Sequence, residues 1–301
     1  MSAPFIMTGL RARPGVGYGP AHFGELMQGA VARGRILICL PCPLFRSVAE
    51  FTPSLGRGVH IRTAGKTKAR RAAGIALAEL GARWRGGTLA IRSNVPVGRG
   101  LGSSTADCVA AVRAVAAAAG TTLAPETIAR IVVAAEGAAD STMFPSAVLF
   151  LHREGSVLED LNGQLPAFEV LGFDTRRGGR GVDTLAQPRP QYSARELDQF
   201  AALAGLAREA VAAQDVRRAG YAATASARIN QRFLPKPRFG DIEQVASETG
   251  AAGVAAAHSG TAAGLLYDPA DEATAGRIAA ASRKLAGMGI EATWRYVTRH
   301  G

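Results

Sequence analysis

Pro96-Val-Gly98-Arg99-Gly100-Leu101-Gly102-Ser103-Ser104-Thr105 sets three alternating glycines and three hydroxyl side chains directly ahead of an alanine-rich segment. Glycine in a loop costs conformational entropy, so such a cluster needs a tight turn or a ligand lying against the backbone. The segment Ala106–Ala119 is built of good helix formers and stops at Gly120. A glycine loop feeding a helix N-terminus gathers unpaired N–H groups and the positive end of the helix dipole, which is a site for an anion. The two common phosphate patterns do not fit. A Walker loop needs Lys after its last glycine, where Ser103 follows Gly102, and the dinucleotide spacing G-x-G-x-x-G is broken. On residue type alone, Ser103 and Ser104 also read as N-caps, Glu136 as an exposed charge at a helix end, and Asp140 as an Asx-turn residue.

Cys39-Leu-Pro-Cys42 has the spacing of a redox or metal pair, but the third cysteine, Cys108, does not complete a zinc set. The surrounding ILICLPCPLF is apolar and reads as a buried strand ending at a proline, with the thiols as small core residues.

These residues need a scaffold, and 301 residues supply one large domain or two ordinary ones with a substantial core. At 48% hydrophobic and 20% charged the composition is globular. No apolar run is long and clean enough to span a bilayer, no secretory signal is expected, and a cytoplasmic protein is the default. The net charge of +11 rests mostly on arginine and raises a nucleic-acid reading. The basic residues are scattered (Arg33, Arg35, Arg70, Arg71, Arg176, Arg177) with few aromatics between them, so a solvated surface is expected instead.

Residues 1–17 read as a loose leader, and strand signals run from Gly19 to about Phe51 around a glycine-containing turn. A helix is expected over Lys66–Leu80, a strand over 88–96 leading into the glycine loop, and a helix from Pro125 to about Glu136. Residues 146–152 form a strand. A second block opens near residue 166 with a strand at 168–174 and helices at Ala194–Val211, Asp215–Ile229 and 239–251. Two strands then bracket a His258-Ser259-Gly260-Thr261 turn, and a helix and a final strand close the chain. Strands and helices mix without a repeat period, which predicts an α+β architecture in two lobes.

The glycine loop resembles the ATP-binding loop of the GHMP kinases, the superfamily of galactokinase, homoserine kinase, mevalonate kinase and phosphomevalonate kinase. EGAADSTMFP (136–145) and GVAAAHSGTAAGLLYDP (253–269) fall where that superfamily carries its other motifs. One branch is closer. Gly19-Pro-Ala-His-Phe-Gly24-Glu25-Leu-Met-Gln28-Gly29 resembles the N-terminal signature of the L-threonine kinases that serve cobalamin biosynthesis. So do Ser104-Thr105-Ala106-Asp107, Asp140-Ser-Thr-Met-Phe-Pro145 and Val182-Asp183-Thr184. Ala222–Ser226, Asn230-Gln231, Leu234-Pro-Lys236-Pro and Ala257–Thr261 look like that branch too. The likeness covers roughly residues 19 to 270. It departs at Gly19 and Phe23, where the family usually has cysteine.

The resemblance implies a two-lobed GHMP kinase fold. Residues 1–164 would form a ribosomal-protein-S5-domain-2-like lobe that binds ATP, and 165–301 a ferredoxin-like lobe. ATP phosphates would lie along Pro96, Gly98, Arg99, Gly100, Leu101, Gly102, Ser103, Ser104 and Thr105, with Mg²⁺ on Ser104 and Glu136. Asp140 takes the catalytic carboxylate's place. For an amino-acid substrate, Glu25 and Asp183 would meet the ammonium and Lys236 the carboxylate or a phosphate. Asn230 and Gln231 would offer amide donors, and His258, Ser259, Gly260 and Thr261 would contact substrate or cap the nucleotide cleft. A tight hairpin satisfied by its own hydroxyls fits that last turn equally well. The implied partner is a small molecule, L-threonine, converted to O-phospho-L-threonine, with no nucleic acid or membrane involved. Homoserine or another hydroxylated metabolite is the alternative acceptor, and a non-catalytic arginine-rich module is the alternative class.

Overall fold

The computed structural model describes residues 13–81, 84–176, 190–257 and 260–298. Along the chain these form β1 (Gly15–Val31), β2 (Gly34–Ser54), β3 (Gly58–Ile61), α1 (Thr67–Glu79), β4 (Gly86–Ser93), α2 (Ser103–Ala118) and α3 (Pro125–Glu136). There follow β5 (Val148–Leu151), β6 (Ser156–Asp160), β7 (Glu169–Asp174), α4 (Ala194–Ala213), α5 (Val216–Asn230) and α6 (Phe239–Glu248). β8 (Gly253–Ala256), β9 (Ala262–Tyr267), α7 (Thr274–Gly287) and β10 (Ala292–Val297) complete the set. The expected α+β class holds. The short strands β3 and β6 carried no reading in the sequence.

The stretch read as a leader is in part a strand. In GVGYG the glycines alternate with Val16 and Tyr18, which are exposed, while Gly15, Gly17 and Gly19 share the other face. A Cβ at Gly15, Gly17 or Gly19 would sit 2.2, 2.2 and 1.9 Å from the carbonyl oxygens of Ala114, Ala110 and Ala106. Those alanines recur every fourth residue and so line one face of α2. Strand and helix meet main chain to main chain, which holds the N-terminus of α2 at a fixed height above β1.

β2 also runs further than its prolines implied. Between the pairs Pro20↔Arg46 and Ala21↔Cys42 the register shifts, so residues 43–45 bulge from the ladder and the strand resumes to Ser54. A proline inside a bulge withholds no ladder hydrogen bond, which is why Pro43 does not end the strand.

The strands lie in the order β10-β7-β9-β8-β1-β2-β4-β3, with β5 paired to β2 and β6 to β5. Strands that precede residue 165 occupy one end of this path and later strands the other, joined where Glu25 faces Ala256. On that ordering we propose the division into lobes at 164/165. The halves nevertheless share a core: Phe23, Leu26 and Met27 of β1 pack with Phe200 and Leu203 of α4 and Ala222 and Ala223 of α5. Phe23 makes ring contacts with Trp294 and Tyr296 at 5.6 and 5.7 Å. Gly172 and Gly264 leave its ring room, since a Cβ at either would lie 2.4 or 2.9 Å from it. Both departures from the threonine-kinase signature, Gly19 and Phe23, therefore face packing partners.

Candidate active site

Gly98, Gly100 and Gly102 have φ of 75°, 79° and 72°, all in the left-handed region. Left-handed glycines alternating with other residues turn successive N–H groups toward one side and make an anion-binding concavity. Gly102 is the N-cap of α2, and no side chain caps that helix, so the serines are not N-caps. The first-turn N–H groups of Ser103, Ser104 and Thr105 are left for a ligand. The loop's side chains anchor it instead. Leu101 is buried in the shared core, and the Arg99 guanidinium ion-pairs with Asp174 and reaches Thr261 Oγ1 and the Arg176 carbonyl, each at 3.4 Å.

Gly260 and Thr261 come to this loop. A Cβ at Gly260 would sit 2.0 Å from the Arg99 carbonyl carbon, and the Ala262 N–H donates to the Arg99 carbonyl at 3.0 Å. The turn residues thus clasp the glycine loop against the second half of the chain. Asp183, His258 and Ser259 lie outside the described residues.

Glu136 ends α3 buried, not as an exposed helix-end charge. The Ser104 hydroxyl donates to its Oε2 and the Thr105 hydroxyl to its Oε1 at 2.8 Å, while Lys68 Nζ stands 3.7 Å away. Burial pushes its pKa up to about 7 with help from the negative charge of Asp140, against the pull of the two hydroxyls and Lys68. A buried carboxylate and a hydroxyl at the mouth of a phosphate loop are the hard oxygen donors that suit Mg²⁺.

Asp140 makes no Asx-turn; its Oδ2 lies 3.1 Å from Nε2 of His22. The His22 Nδ1–H donates to the Gly24 carbonyl at 2.8 Å, so both ring nitrogens face acceptors and the imidazolium is favoured. Burial opposes the charge, but the charge and hydrogen bond of Asp140, with Glu25 and the Gly24 carbonyl, raise the His22 pKa to about 9. Burial likewise works against the Asp140 carboxylate, and His22 overrides it to hold the pKa below the usual value. Gly102 closes over this pair: a Cβ there would lie 2.3 Å from the His22 ring and 3.0 Å from Asp140 Oδ2. His22 escaped the sequence reading, although it stands within the quoted signature three residues before Glu25. Its only signal was a lone histidine, and its partner lies 118 positions on. Cys39 Sγ accepts the Ser141 N–H at 3.3 Å beside the pair, and burial raises its thiol pKa well above the ordinary value. Cys39 and Cys42 are free thiols on a strand, as their apolar context implied.

A narrow cleft, with about 20 Å³ open to a water-sized molecule, lies between β1, α5 and the turn after α5. Glu25, Gln28, Ser226, Asn230, Gln231 and Lys236 line it, so three sequence-derived candidates (Glu25, Asn230 and Lys236) meet in one place. Asn230 is already committed: Nδ2 donates to the carbonyls of Gln28 and Ser226 at 2.7 and 2.9 Å, and Oδ1 accepts the Tyr192 hydroxyl at 2.7 Å. Gln231 donates to the Ala227 carbonyl at 2.9 Å and accepts the Lys236 N–H at 2.6 Å. Burial lowers the Lys236 pKa to about 8, with Glu25 acting the other way. Glu25 stands opposite Cys39 in the β1–β2 ladder, and Cys39 Sγ lies within 4.8 Å of the His22 and Asp140 side-chain atoms, so one edge of the cleft is a single neighbour from that pair.

Among the described residues no helix is long and apolar enough to cross a membrane. Residues 67–147 match the GHMP kinases N terminal domain model, and residues 207–284 match GHMP kinases C terminal. The chain is 31% identical over 251 residues to an L-threonine kinase of Salmonella typhimurium, covering 83% of this chain and 81% of that protein. It is 33% identical over 178 residues to an L-threonine kinase of Citrobacter freundii, covering 59% and 61%. Its fold superposes on homoserine kinase from Cytophaga hutchinsonii with a TM-score of 0.72 at 17% identity, over 99% of this chain and 98% of that one. Two family models that between them span more than half of the chain, with a relative 31% identical over 83% of it, show that the chain belongs to the GHMP kinase family and is a phosphotransferase acting on an alcohol acceptor.

Proposed function

We propose that the chain phosphorylates the side-chain hydroxyl of L-threonine to give O-phospho-L-threonine, the precursor of the aminopropanol phosphate linker of cobalamin. The observation that carries this reading is that a carboxylate, Glu25, and a buried ammonium, Lys236, line one narrow cleft, with Glu25 opposite Cys39, whose Sγ lies within 4.8 Å of the Asp140 carboxylate. A zwitterionic amino acid matches such a pair end to end. The two L-threonine kinases among the relatives support the same choice.

ATP supplies the phosphoryl group, and Mg²⁺ supplies positive charge at the transferring phosphate. The residues that would hold them are the N–H groups from Gly98 to Ser104, with Ser104 and Glu136 as metal ligands. Phosphoryl transfer asks the protein mainly for alignment and charge stabilisation. The Asp140 carboxylate, kept ionised by His22, orients the acceptor hydroxyl and takes its proton as the new oxygen–phosphorus bond forms. Glu25 and Lys236 fix the other end of the acceptor, so that the hydroxyl rather than the amine or carboxylate arrives at Asp140.

The test is a panel of L-threonine, L-serine and L-homoserine with labelled ATP. A methyl group in an apolar pocket discriminates by about 1–3 kcal/mol, whereas a displaced reacting hydroxyl costs more. Threonine is expected to exceed serine modestly and homoserine strongly in kcat/KM. Faster turnover of homoserine overturns the substrate and leaves the family untouched.

A further inference from the structure

Gln28 stands on β1 three residues after Glu25, buried, with its amide Oε1 enclosed and without a hydrogen-bond partner in the protein. Most buried polar side-chain atoms are satisfied, so an unanswered acceptor lining a cleft points to a donor that arrives with the ligand. The main chain of Gln28 is held firmly meanwhile. Its N–H donates to Ser226 Oγ at 2.9 Å, and its carbonyl accepts from Ser226 Oγ at 2.9 Å and Asn230 Nδ2 at 2.7 Å. Asn230 and Ser226, four residues apart on one face of α5, thus spend their polar groups on placing Gln28 and do not meet the ligand with them. The Gln28 amide lines the same cleft as the Glu25 carboxylate and the Lys236 ammonium.

We propose that Gln28 is a specificity-determining residue whose amide oxygen accepts an N–H of the substrate's α-ammonium beside Glu25, while Lys236 takes the α-carboxylate. The proposal rests on the amino-acid reading of the same cleft and names the group that reads the ammonium. An amide suits the place better than a second carboxylate. Glu25 and Lys236 already balance the two charges of a zwitterion, and an added negative charge would repel the substrate carboxylate while a neutral oxygen still fills the ammonium's hydrogen-bonding capacity. An acceptor that stays unpaired unless an N–H arrives also penalises analogues lacking one.

The experiment compares L-threonine with 3-hydroxybutyrate, which keeps the hydroxyl and carboxylate and lacks the amine, in wild type, Gln28→Met and Gln28→Glu of the full chain. Wild type is expected to prefer threonine by at least about 100-fold in kcat/KM. In Gln28→Met, kcat/KM for threonine falls about 10–100-fold through KM, the usual cost of losing a hydrogen bond to a charged group, while KM for ATP and activity on 3-hydroxybutyrate hold. Gln28→Glu, still an acceptor at that spot, keeps the preference for threonine. Threonine turnover with an unchanged KM in Gln28→Met overturns the role of Gln28 and leaves the amino-acid reading standing. An equal loss on both substrates reduces Gln28 to packing and overturns it too. A wild type that does not prefer threonine over 3-hydroxybutyrate removes both. If thermal unfolding shows Gln28→Met misfolded, Gln28→Glu decides: its negative charge weakens both carboxylate substrates alike, so a lost preference for threonine over 3-hydroxybutyrate shows that no acceptor reads the ammonium there, and the proposal falls.

Discussion

The two ends of the active site are built on different terms. At the phosphate end the groups left for a ligand are main-chain N–H groups, and the side chains there already answer one another: Ser104 and Thr105 with Glu136, His22 with Asp140, Arg99 with Asp174. At the end proposed for the acceptor, side chains line the cleft, and the amide oxygen of one of them, Gln28, has no hydrogen-bond partner. Backbone N–H groups read phosphate oxygens whatever the rest of the ligand is, so the loop end suits the donor that every GHMP kinase shares. In the proposed reading, side chains from β1, α5 and the following turn select the acceptor. Between the ends sits Asp140, held by His22, which in the proposed mechanism takes the acceptor's proton.

That junction is where the comparison breaks most visibly. Asp140→Asn keeps the size of the side chain but cannot take a proton, and it strips His22 of the charge that holds it protonated. Turnover is expected to fall about 10²–10⁴-fold, the usual weight of a positioned general base, while ATP affinity and KM for the acceptor change little. Single-turnover kinetics and nucleotide binding on folded protein measure this. Near-normal turnover makes Asp140 structural and leaves transfer to the metal charge and the loop dipoles alone.

The same contrast explains what could be read from the sequence. The glycine loop was legible because its chemistry is local: three left-handed glycines and a helix start must be neighbours in the chain. Its placement was less so. Gly15 and Gly17 resemble a slack leader until α2 is seen resting on them and on Gly19, since a glycine that admits another backbone looks the same in sequence as one that merely bends. The cleft was half legible. Glu25 and Lys236 were picked out by the family likeness, but Asn230 was credited with a ligand contact that its own hydrogen bonds to Gln28 and Tyr192 already occupy. Only a structure shows which polar groups are spent. His22 was hidden for the same reason, its meaning set by a carboxylate in a distant segment. Gly260 and Thr261 were named either for the substrate or for a cap on the nucleotide cleft, and they lie against the glycine loop, which fits the second of these.

The His22–Asp140 pair can be examined without substrate through stability. The His22 pKa rises from 6.5 to about 9 on folding, so its stabilisation is fully present below pH 6.5 and is lost as pH climbs through 9. The Asp140 pKa is lowered, so its share is present above the ordinary value of 3.8 and is lost as pH falls through the folded value. The alkaline loss amounts to roughly 3 kcal/mol at about 1.4 kcal/mol per pKa unit. Chemical unfolding of wild type and His22→Gln at pH 6.5 and 9.5 is expected to show that the gap between them closes at the higher pH. A gap of equal size at both values means that His22 is packed there for its shape and carries no charge.

The smallest effect belongs to the side chain with a deputy. The Ser104 hydroxyl donates to Glu136 Oε2, and in the proposed complex its oxygen joins that carboxylate on Mg²⁺. Ser104→Ala removes one hard oxygen and one of the hydrogen bonds that orient Glu136. The Thr105 hydroxyl still holds Oε1 at 2.8 Å, so the carboxylate keeps its place. Nor does the variant disturb the N-cap of α2, because Gly102 fills that position and no side chain caps it. The concentration of Mg²⁺ needed for half-maximal activity is therefore expected to rise about tenfold, the lower end of what losing a ligand-orienting group costs. KM for the acceptor and thermal unfolding should stay close to wild type, since the cleft is lined by other residues. Unchanged Mg²⁺ dependence would leave the hydroxyl with no part in metal binding. A rise in the acceptor KM of similar size would do more damage, for it would show that the two ends of the site are not the separable surfaces that their hydrogen bonding describes.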